Sequence, residues 1–174
     1  MKIRCGFVSN SSSTSFTFCY KGEGIKALTD LILTKYRGQF ERSYDEWHCN
    51  AMDVVESIET SSKNKSEWYK VEAVHIDKVI ENEQTCLDTV IQDLEEEKED
   101  YWKRYNLDRK QELENKIARL KRIKERGLVT VLIMDFGDNH GAVQGGNVGY
   151  AMDYDGRYID IDKQDLVVFT EQNR

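Results

Sequence analysis

The segment from Asp77 to Arg126 constrains the fold more than any other part of the chain, because its apolar residues recur at helical spacing. One stripe consists of Leu87, Val90, Ile91, Leu94, Tyr101 and Tyr105, and a second of Leu113, Ile117, Leu120 and Ile123. The chain contains no proline, so the commonest helix breaker is absent. A segment of this length and pattern predicts long helices.

A turn is expected where the two stripes separate, near residues 106–108. Asp108 followed by Gln111 fits a capping box, in which the carboxylate accepts from exposed amides and the glutamine reaches back. We therefore predict two antiparallel helices. A single long helix is the alternative, since it would also place acids toward its N-terminus and bases toward its C-terminus, as the helix dipole favours.

Charge is separated along this segment. The stretch from Asp93 to Asp100 is acidic, with Lys98 as its one base, and the stretch from Lys116 to Arg126 is basic. Folding at residue 107 would place the two side by side, which sets the register more than the stability because exposed ion pairs contribute below about 1 kcal/mol each. The hairpin is either a solvated structural arm or a partner-binding surface. The candidate contacts are Glu95, Glu96, Glu97, Glu99, Arg119 and Arg122.

The part before the hairpin predicts two strands and two helices. Residues 6–16 are serine-rich and predict a loop, and Phe16 to Tyr20 predicts a strand. Helices are expected over 25–36 and 45–58, and residues 61–66 are expected to form a loop. Trp68 to Ile76 alternates and predicts a strand, with His75 as a structural histidine rather than a catalytic base.

The part after the hairpin is rich in strands. The apolar run over 128–134 predicts a strand buried on both faces, and the glycine-rich residues 137–149 predict a loop. Asp155-Gly156 predicts a tight turn that pairs Met152 with Ile159 and Tyr150 with Ile161. Residues 166–169 predict a last strand. The fold class is therefore α+β, with a mostly antiparallel sheet, N-terminal helices and an inserted charged antiparallel helical hairpin over 77–126, in one domain spanning 1–174.

Carboxylates gather in the C-terminal third, on the face opposite the predicted core. Carboxylates at strand ends beside a glycine loop can bind Mg²⁺ or another hard cation, or can form an ordinary solvent face. A small metal-dependent hydrolase is therefore an alternative function. Its catalytic set would be Asp135, Asp138, His140 and Asp153, and its metal ligands Asp153, Asp160 and Asp162.

Composition excludes several classes of function. The net charge of −7 disfavours nucleic-acid binding, which depends on Lys and Arg meeting phosphates. No apolar stretch approaches the roughly 20 residues of a membrane helix. The four cysteines form no C-x-x-C pair, which is typical of reduced thiols in a cytosolic protein. We expect no cofactor, and the sequence does not indicate an oligomeric state.

Residues 6–16, Gly-Phe-Val-Ser-Asn-Ser-Ser-Ser-Thr-Ser-Phe, resemble an N-terminal segment shared by many small uncharacterised proteins of tailed bacteriophages. Thr14 stands where serine is more usual and keeps the hydroxyl. The resemblance implies a phage or prophage origin and a role in the cytoplasm of a bacterial host, and it implies no chemistry. With no diagnostic catalytic motif in the chain, we expect a non-enzymatic accessory protein that binds a host or phage protein, such as an inhibitor of a host defence or enzyme. A minor virion component is a further alternative.

Overall fold

An antiparallel five-stranded sheet lies at the centre of the protein. The computed structural model describes residues 13–44, 47–63, 72–97, 99–136, 153–154, 157–158 and 160–173. The sheet has the order β4-β5-β1-β9-β8. Its strands are β1 (Ser13–Tyr20), β4 (Glu72–His75), β5 (Thr130–Phe136), β8 (Ile161–Asp162) and β9 (Leu166–Asn173). All the neighbouring pairs are antiparallel, so the predicted α+β class is confirmed.

Helices cover both faces of this sheet and give three layers. Alternation along β1 sends Phe16, Phe18 and Tyr20 into one core, together with buried residues of α1 (Gly24–Thr34) and α2 (Ala51–Lys63). Cys19 points to the opposite face, where the second core contains residues of α3 (Ile76–Glu96) and α4 (Asp100–Glu125). The two cores lie back to back, because side chains alternate along every strand of the sheet.

The helical hairpin is inserted between β4 and β5, which are neighbours in the sheet, so the predicted insertion is confirmed. Its base packs on the sheet through buried residues of both helices. These are Ile76 and Val79 of α3 and Leu120 and Ile123 of α4. Gly127, with a φ of 81°, ends the segment, since this left-handed conformation suits glycine.

The predicted position of the turn between the helices, near residues 106–108, is wrong. The helices are separated at residues 97–99, where Glu97 and Glu99 have extended backbones, and residues 106–108 continue inside α4. The acidic run explains the break, because like charges four residues apart destabilise a helix and acids are unfavourable at its C-terminus. Residues 106–108 include neither glycine nor proline.

The predicted pairing of the acidic and basic stretches was also wrong, because moving the turn changes which residues face each other. The acidic stretch lies at the end of the hairpin. The basic stretch lies beside the first half of α3, with Lys116 bound to Glu83 at 2.8 Å and Lys124 to Asp77 at 2.5 Å. The hydrogen bond from Lys124 lowers the pKa of Asp77 below its usual value.

Several boundaries in the N-terminal part also differ from the prediction. The strand β1 begins at Ser13, inside the serine-rich run that was predicted as a loop. The second helix begins at Ala51 rather than residue 45, because β2 (Arg42–Tyr44) and β3 (Trp47–Cys49) form a small antiparallel pair. That helix continues to Lys63, into the predicted loop. The predicted helix over 25–36 is confirmed as α1, and a single 3₁₀ turn follows it over Arg37–Gln39.

The C-terminal strands largely follow the prediction. Strand β5 contributes to both cores and is buried on both faces, as predicted. Strands β6 (Asp153–Tyr154) and β7 (Arg157–Tyr158) pair with Tyr154 opposite Arg157, which is the predicted two-residue turn register. Ile161 is buried and pairs with Val168 of β9. Its predicted neighbour Tyr150, the predicted Met152–Ile159 pair and the predicted 137–149 loop lie outside the described residues.

Candidate functional site at the hairpin tip

The outer half of the hairpin extends beyond the two cores that contain the sheet. Its buried side chains Leu87, Val90, Leu113 and Ile117 pack on one another and on partly buried neighbours of the same hairpin, without any residue of the sheet. In α4, no residue before Leu113 is buried. At 1.5 Å per residue, the helix continues for about 20 Å beyond that position. We call residues 91–107 the hairpin tip.

Three aromatic side chains are exposed on the tip. Tyr101 is 73% exposed, Trp102 48% and Tyr105 51%. The ring centroid of Trp102 lies 5.3 Å from that of Tyr101 and 6.0 Å from that of Tyr105, and both pairs are edge-to-face. Leu107 of the same helix is also exposed. Clustered exposed apolar groups of this kind mark interaction sites, whereas single exposed apolar residues are ordinary.

Carboxylates surround the aromatic cluster. The tip contains six acids, all between residues 93 and 100, and three bases, Lys98, Lys103 and Arg104, so it has a net negative charge. An open depression of about 410 Å³ lies between the end of α3 and the start of α4. It is lined by Asp93, Glu96, Glu97, Trp102, Tyr105 and Asn106. A concave surface that combines carboxylates with aromatic rings suits a cationic group, which carboxylates attract and ring faces also bind.

Four of the six predicted contact residues lie at this tip. Glu95, Glu96 and Glu99 are exposed, and Glu97 is partly buried. The amide of Gln92 donates to Glu96 at 3.2 Å, and the backbone N–H of Glu99 donates to Glu97 at 3.0 Å. The second of these bonds holds the turn, while the other acids keep their carboxylates toward solvent.

The remaining two predicted contact residues, Arg119 and Arg122, lie elsewhere. Arg119 is at the base of the hairpin, where its guanidinium lies 4.0 Å from the ring centroid of Phe169 and 3.3 Å from the carboxylate of Asp160. Arg122 is exposed on the same half of α4. At helical rise both are about 25 Å or more along the helix from Trp102. The structure therefore does not bring the two arginines together with the acids.

Sequence reasoning missed the aromatic residues of the site. The sequence pattern places Tyr101 and Tyr105 in one helical stripe with Leu87 and Val90, which is wrong, and it gives no role to Trp102. The predicted stripe requires one helix to continue from Leu87 to Tyr105. Because α3 ends at Glu96 and α4 begins at Asp100, the two tyrosines lie on the second helix and do not continue the apolar side of the first. One available signal was the density of aromatic residues directly after an acidic run.

The acidic residues of the alternative metal site are only partly described. Asp160 and Asp162 bind arginines, Asp160 pairing with Arg119 and Asp162 with Arg126 at 2.5 Å. Asp135 lies in β5 opposite Ser15, and Asp153 lies in β6. Asp138 and His140 lie outside the described residues. Within the described ranges no three His, Cys, Asp or Glu side chains are grouped as metal ligands would be. The hydrolase hypothesis stays a prediction.

His75 has the structural role that was predicted for it. It is the residue before α3, and its Nδ1 accepts from the backbone N–H of Asp77 at 3.3 Å, which caps the helix. Its side chain is also 3.5 Å from the carboxylate of Asp77. The histidine therefore helps to fix the point at which β4 turns into the hairpin.

The comparisons with known proteins give no relative. None of the family models, curated proteins or solved structures matches the chain. Among the residues that the structure describes, no helix has the length and apolar character needed to cross a membrane. A function for this protein therefore has to be argued from its own residues.

Proposed function

We propose that this protein is a non-enzymatic bacteriophage accessory protein that binds a host or phage protein through the hairpin tip. The observation that carries the proposal is the exposed cluster of Tyr101, Trp102 and Tyr105 on an extension beyond the core. Trp and Tyr are enriched among the residues that dominate binding energy at protein interfaces. Burying these rings against a partner would remove apolar area from water, which is favourable.

The phage assignment is supported by the resemblance of residues 6–16 to an N-terminal segment of phage proteins, and it places the binding event inside the bacterial host. An inhibitor of a host defence or of a host enzyme is one concrete form of this function. A minor virion component, whose partner would be another phage protein, is the other form. The identity of the captured partner distinguishes the two.

The experiment is an affinity pull-down of the tagged protein from a bacterial lysate and from a phage-infected lysate, with bound proteins identified by mass spectrometry. The test variant combines Trp102→Ala with Tyr105→Ala. The control is Met52→Ala, which removes a side chain that is 52% exposed on α2, far along the chain from the tip. We expect one stoichiometric partner to be retained by the wild type and the control and lost by the double variant.

Two results would count against the proposal. Equal capture by all three proteins would show that the tip is not the binding surface. No captured protein from either lysate would remove the support for a binding function. Far-ultraviolet circular dichroism and thermal melts of each variant establish that a loss of capture is not a loss of folding, and we expect them to be unchanged because both aromatic residues are exposed.

A further inference from the structure

The proposed function does not specify the chemistry of the partner, but the charge and the geometry of the hairpin tip indicate it. Resting on that function, we infer that the hairpin tip binds an arginine-rich segment of its partner, with guanidinium groups held between the rings of Trp102 and Tyr105 and the carboxylates of α3. The class of ligand is a cationic peptide segment. The inference is argued from charge, from the geometry of the depression and from the partners of the protein's own cations.

Charge selects a cationic partner. The aromatic rings of the tip can be buried only together with neighbouring acids, since Asp93 and Glu96 line the same depression as Trp102. Burying a carboxylate without a partner is costly, so an apolar or acidic surface would be rejected. A second copy of this tip would bring two acidic surfaces together, which repel each other. A basic segment is the occupant that compensates these carboxylates.

Four of the protein's own cations bind acids away from the tip. Lys116, Lys124 and Arg126 bind Glu83, Asp77 and Asp162 in the lower half of the hairpin and at the sheet, and Arg119 binds Asp160 there. None of these four ion pairs involves an acid of residues 93–100. These four cations are therefore engaged away from the acids of the tip.

Geometry favours arginine over lysine. The depression has an acidic side on α3 and an aromatic side on α4, where the planes of Trp102 and Tyr105 are at 85°. Guanidinium is planar, so it can stack on a ring face while its N–H groups donate to a carboxylate in the same plane. An ammonium group is a compact point charge without this planar match. The same protein already holds one guanidinium over an aromatic ring, at Arg119 and Phe169.

The test measures binding of a fluorescein-labelled peptide of repeating Arg-Gly by fluorescence anisotropy. A Lys-Gly peptide of equal charge and length is the comparison ligand. Two triple variants are matched in charge change: Asp93→Lys, Glu95→Lys and Glu96→Lys at the tip, and Glu56→Lys, Glu59→Lys and Glu125→Lys at exposed positions away from it. Trp102→Ala in the wild-type background tests the aromatic contribution.

We expect the tip triple to weaken Arg-Gly binding by about tenfold or more, and Trp102→Ala to weaken it by a similar factor. The remote triple should stay within about threefold of the wild type, because charges beyond a Debye length of roughly 8 Å are largely screened at physiological salt. The Lys-Gly peptide should bind several-fold more weakly than Arg-Gly and should lose less affinity in the Trp102→Ala variant.

Equal losses in the two triple variants would show attraction by net charge alone and would overturn the inference. So would the absence of Arg-Gly binding, or equal affinity for the two peptides in every variant. Failure here is separable from failure of the proposed function. A lysate partner that needs the tip aromatics but is not displaced by excess Arg-Gly peptide would leave the proposed function standing and remove the arginine-rich partner.

Discussion

The guanidinium of Arg119 in α4 lies over the ring of Phe169 in β9, 4.0 Å from its centroid, and so joins the hairpin to the sheet. Asp160 extends the same junction by pairing with Arg119 at 3.3 Å. Two further ion pairs, Lys116–Glu83 and Lys124–Asp77, join α4 to α3 on the lower part of the hairpin. These contacts orient the base of the hairpin, and the orientation of the base decides where the tip is presented.

Replacing Arg119 with alanine should lower the free energy of unfolding by about 1 kcal/mol, because the variant loses a cation–π contact and an ion pair. Arg122→Ala is the matched control, since Arg122 is exposed on the same helix and its loss should change stability by less than about 0.5 kcal/mol. Urea unfolding followed by circular dichroism measures both. Equal midpoints for the two variants would mean that Arg119 is not a structural contact.

A second prediction concerns Asp165, which lies just before β9. Its carboxylate accepts from the ammonium of Lys35 at 2.5 Å and from the phenolic hydroxyl of Tyr36. Partial burial opposes ionisation, but the two hydrogen bonds outweigh it and hold the pKa of Asp165 below its usual value. The carboxylate of Asp165 therefore binds a proton more readily in the unfolded chain than in the folded protein. The site accordingly stabilises the fold at pH values above the unfolded pKa of about 3.9.

This stabilisation should disappear as the pH falls through the lowered folded pKa of Asp165. We expect Asp165→Asn to reduce the free energy of unfolding by about 1 kcal/mol at pH 7 and to reduce it by less at pH 2. Urea titrations at both pH values test this. Asp30→Asn, which removes only an exposed pair with Lys26, should have little effect at either pH. Equal behaviour of the two variants would contradict the prediction.

A third prediction concerns Thr17 in the central strand. Thr17 is 1% exposed, and its hydroxyl has no hydrogen-bond partner among the residues that the structure describes. Burying an unpaired hydroxyl costs free energy that an apolar group of the same shape avoids. We expect Thr17→Val to raise the free energy of unfolding by about 1 kcal/mol, and Thr17→Ser, which keeps the hydroxyl and removes the methyl group, to lower it. A thermal midpoint of Thr17→Val below that of the wild type would refute this account.

A fourth prediction concerns Asn50, which begins α2. Its side-chain oxygen accepts from the backbone N–H of Met52 at 2.8 Å and of Asp53 at 3.2 Å, and the Asp53 carboxylate accepts from the N–H of Asn50 at 2.8 Å. This reciprocal arrangement is a capping box. Asn50→Ala should cost about 1 kcal/mol, whereas Asn50→Asp should preserve stability. Chemical denaturation of both variants decides whether the cap has this role.

Much of the secondary structure follows from local pattern in the sequence. The alternation of Phe16, Phe18 and Tyr20 predicts β1, and the near-continuous apolar run beginning at Leu128 predicts a strand buried on both faces. The heptad-like spacing of Leu113, Ile117 and Leu120 predicts the buried side of α4. These predictions succeed because side-chain period is a property of the strand or helix itself and depends little on distant residues.

Local signals give a wrong prediction where the same residues can either start a new helix or continue an existing one. Asp108 and Gln111 match a capping box but lie inside α4, whereas the less obvious Asn50 and Asp53 form a real one. A capping pattern shows only that a helix start is allowed at a residue. Whether the chain uses it depends on where the preceding helix ends, and here the repulsion within the acidic run ends α3 first.

The sequence by itself determined the α+β class, the helical character of residues 77–126, the hairpin at Asp155-Gly156 and the acidic character of residues 93–100, because all of these depend on short-range pattern and composition. Only the tertiary structure decided that Tyr101, Trp102 and Tyr105 are exposed beside those acids, and that Arg119 and Arg122 are remote from them. The physical reason is that the position of a single turn sets the register of two long helices. A shift of that turn by several residues changes every facing pair along the hairpin.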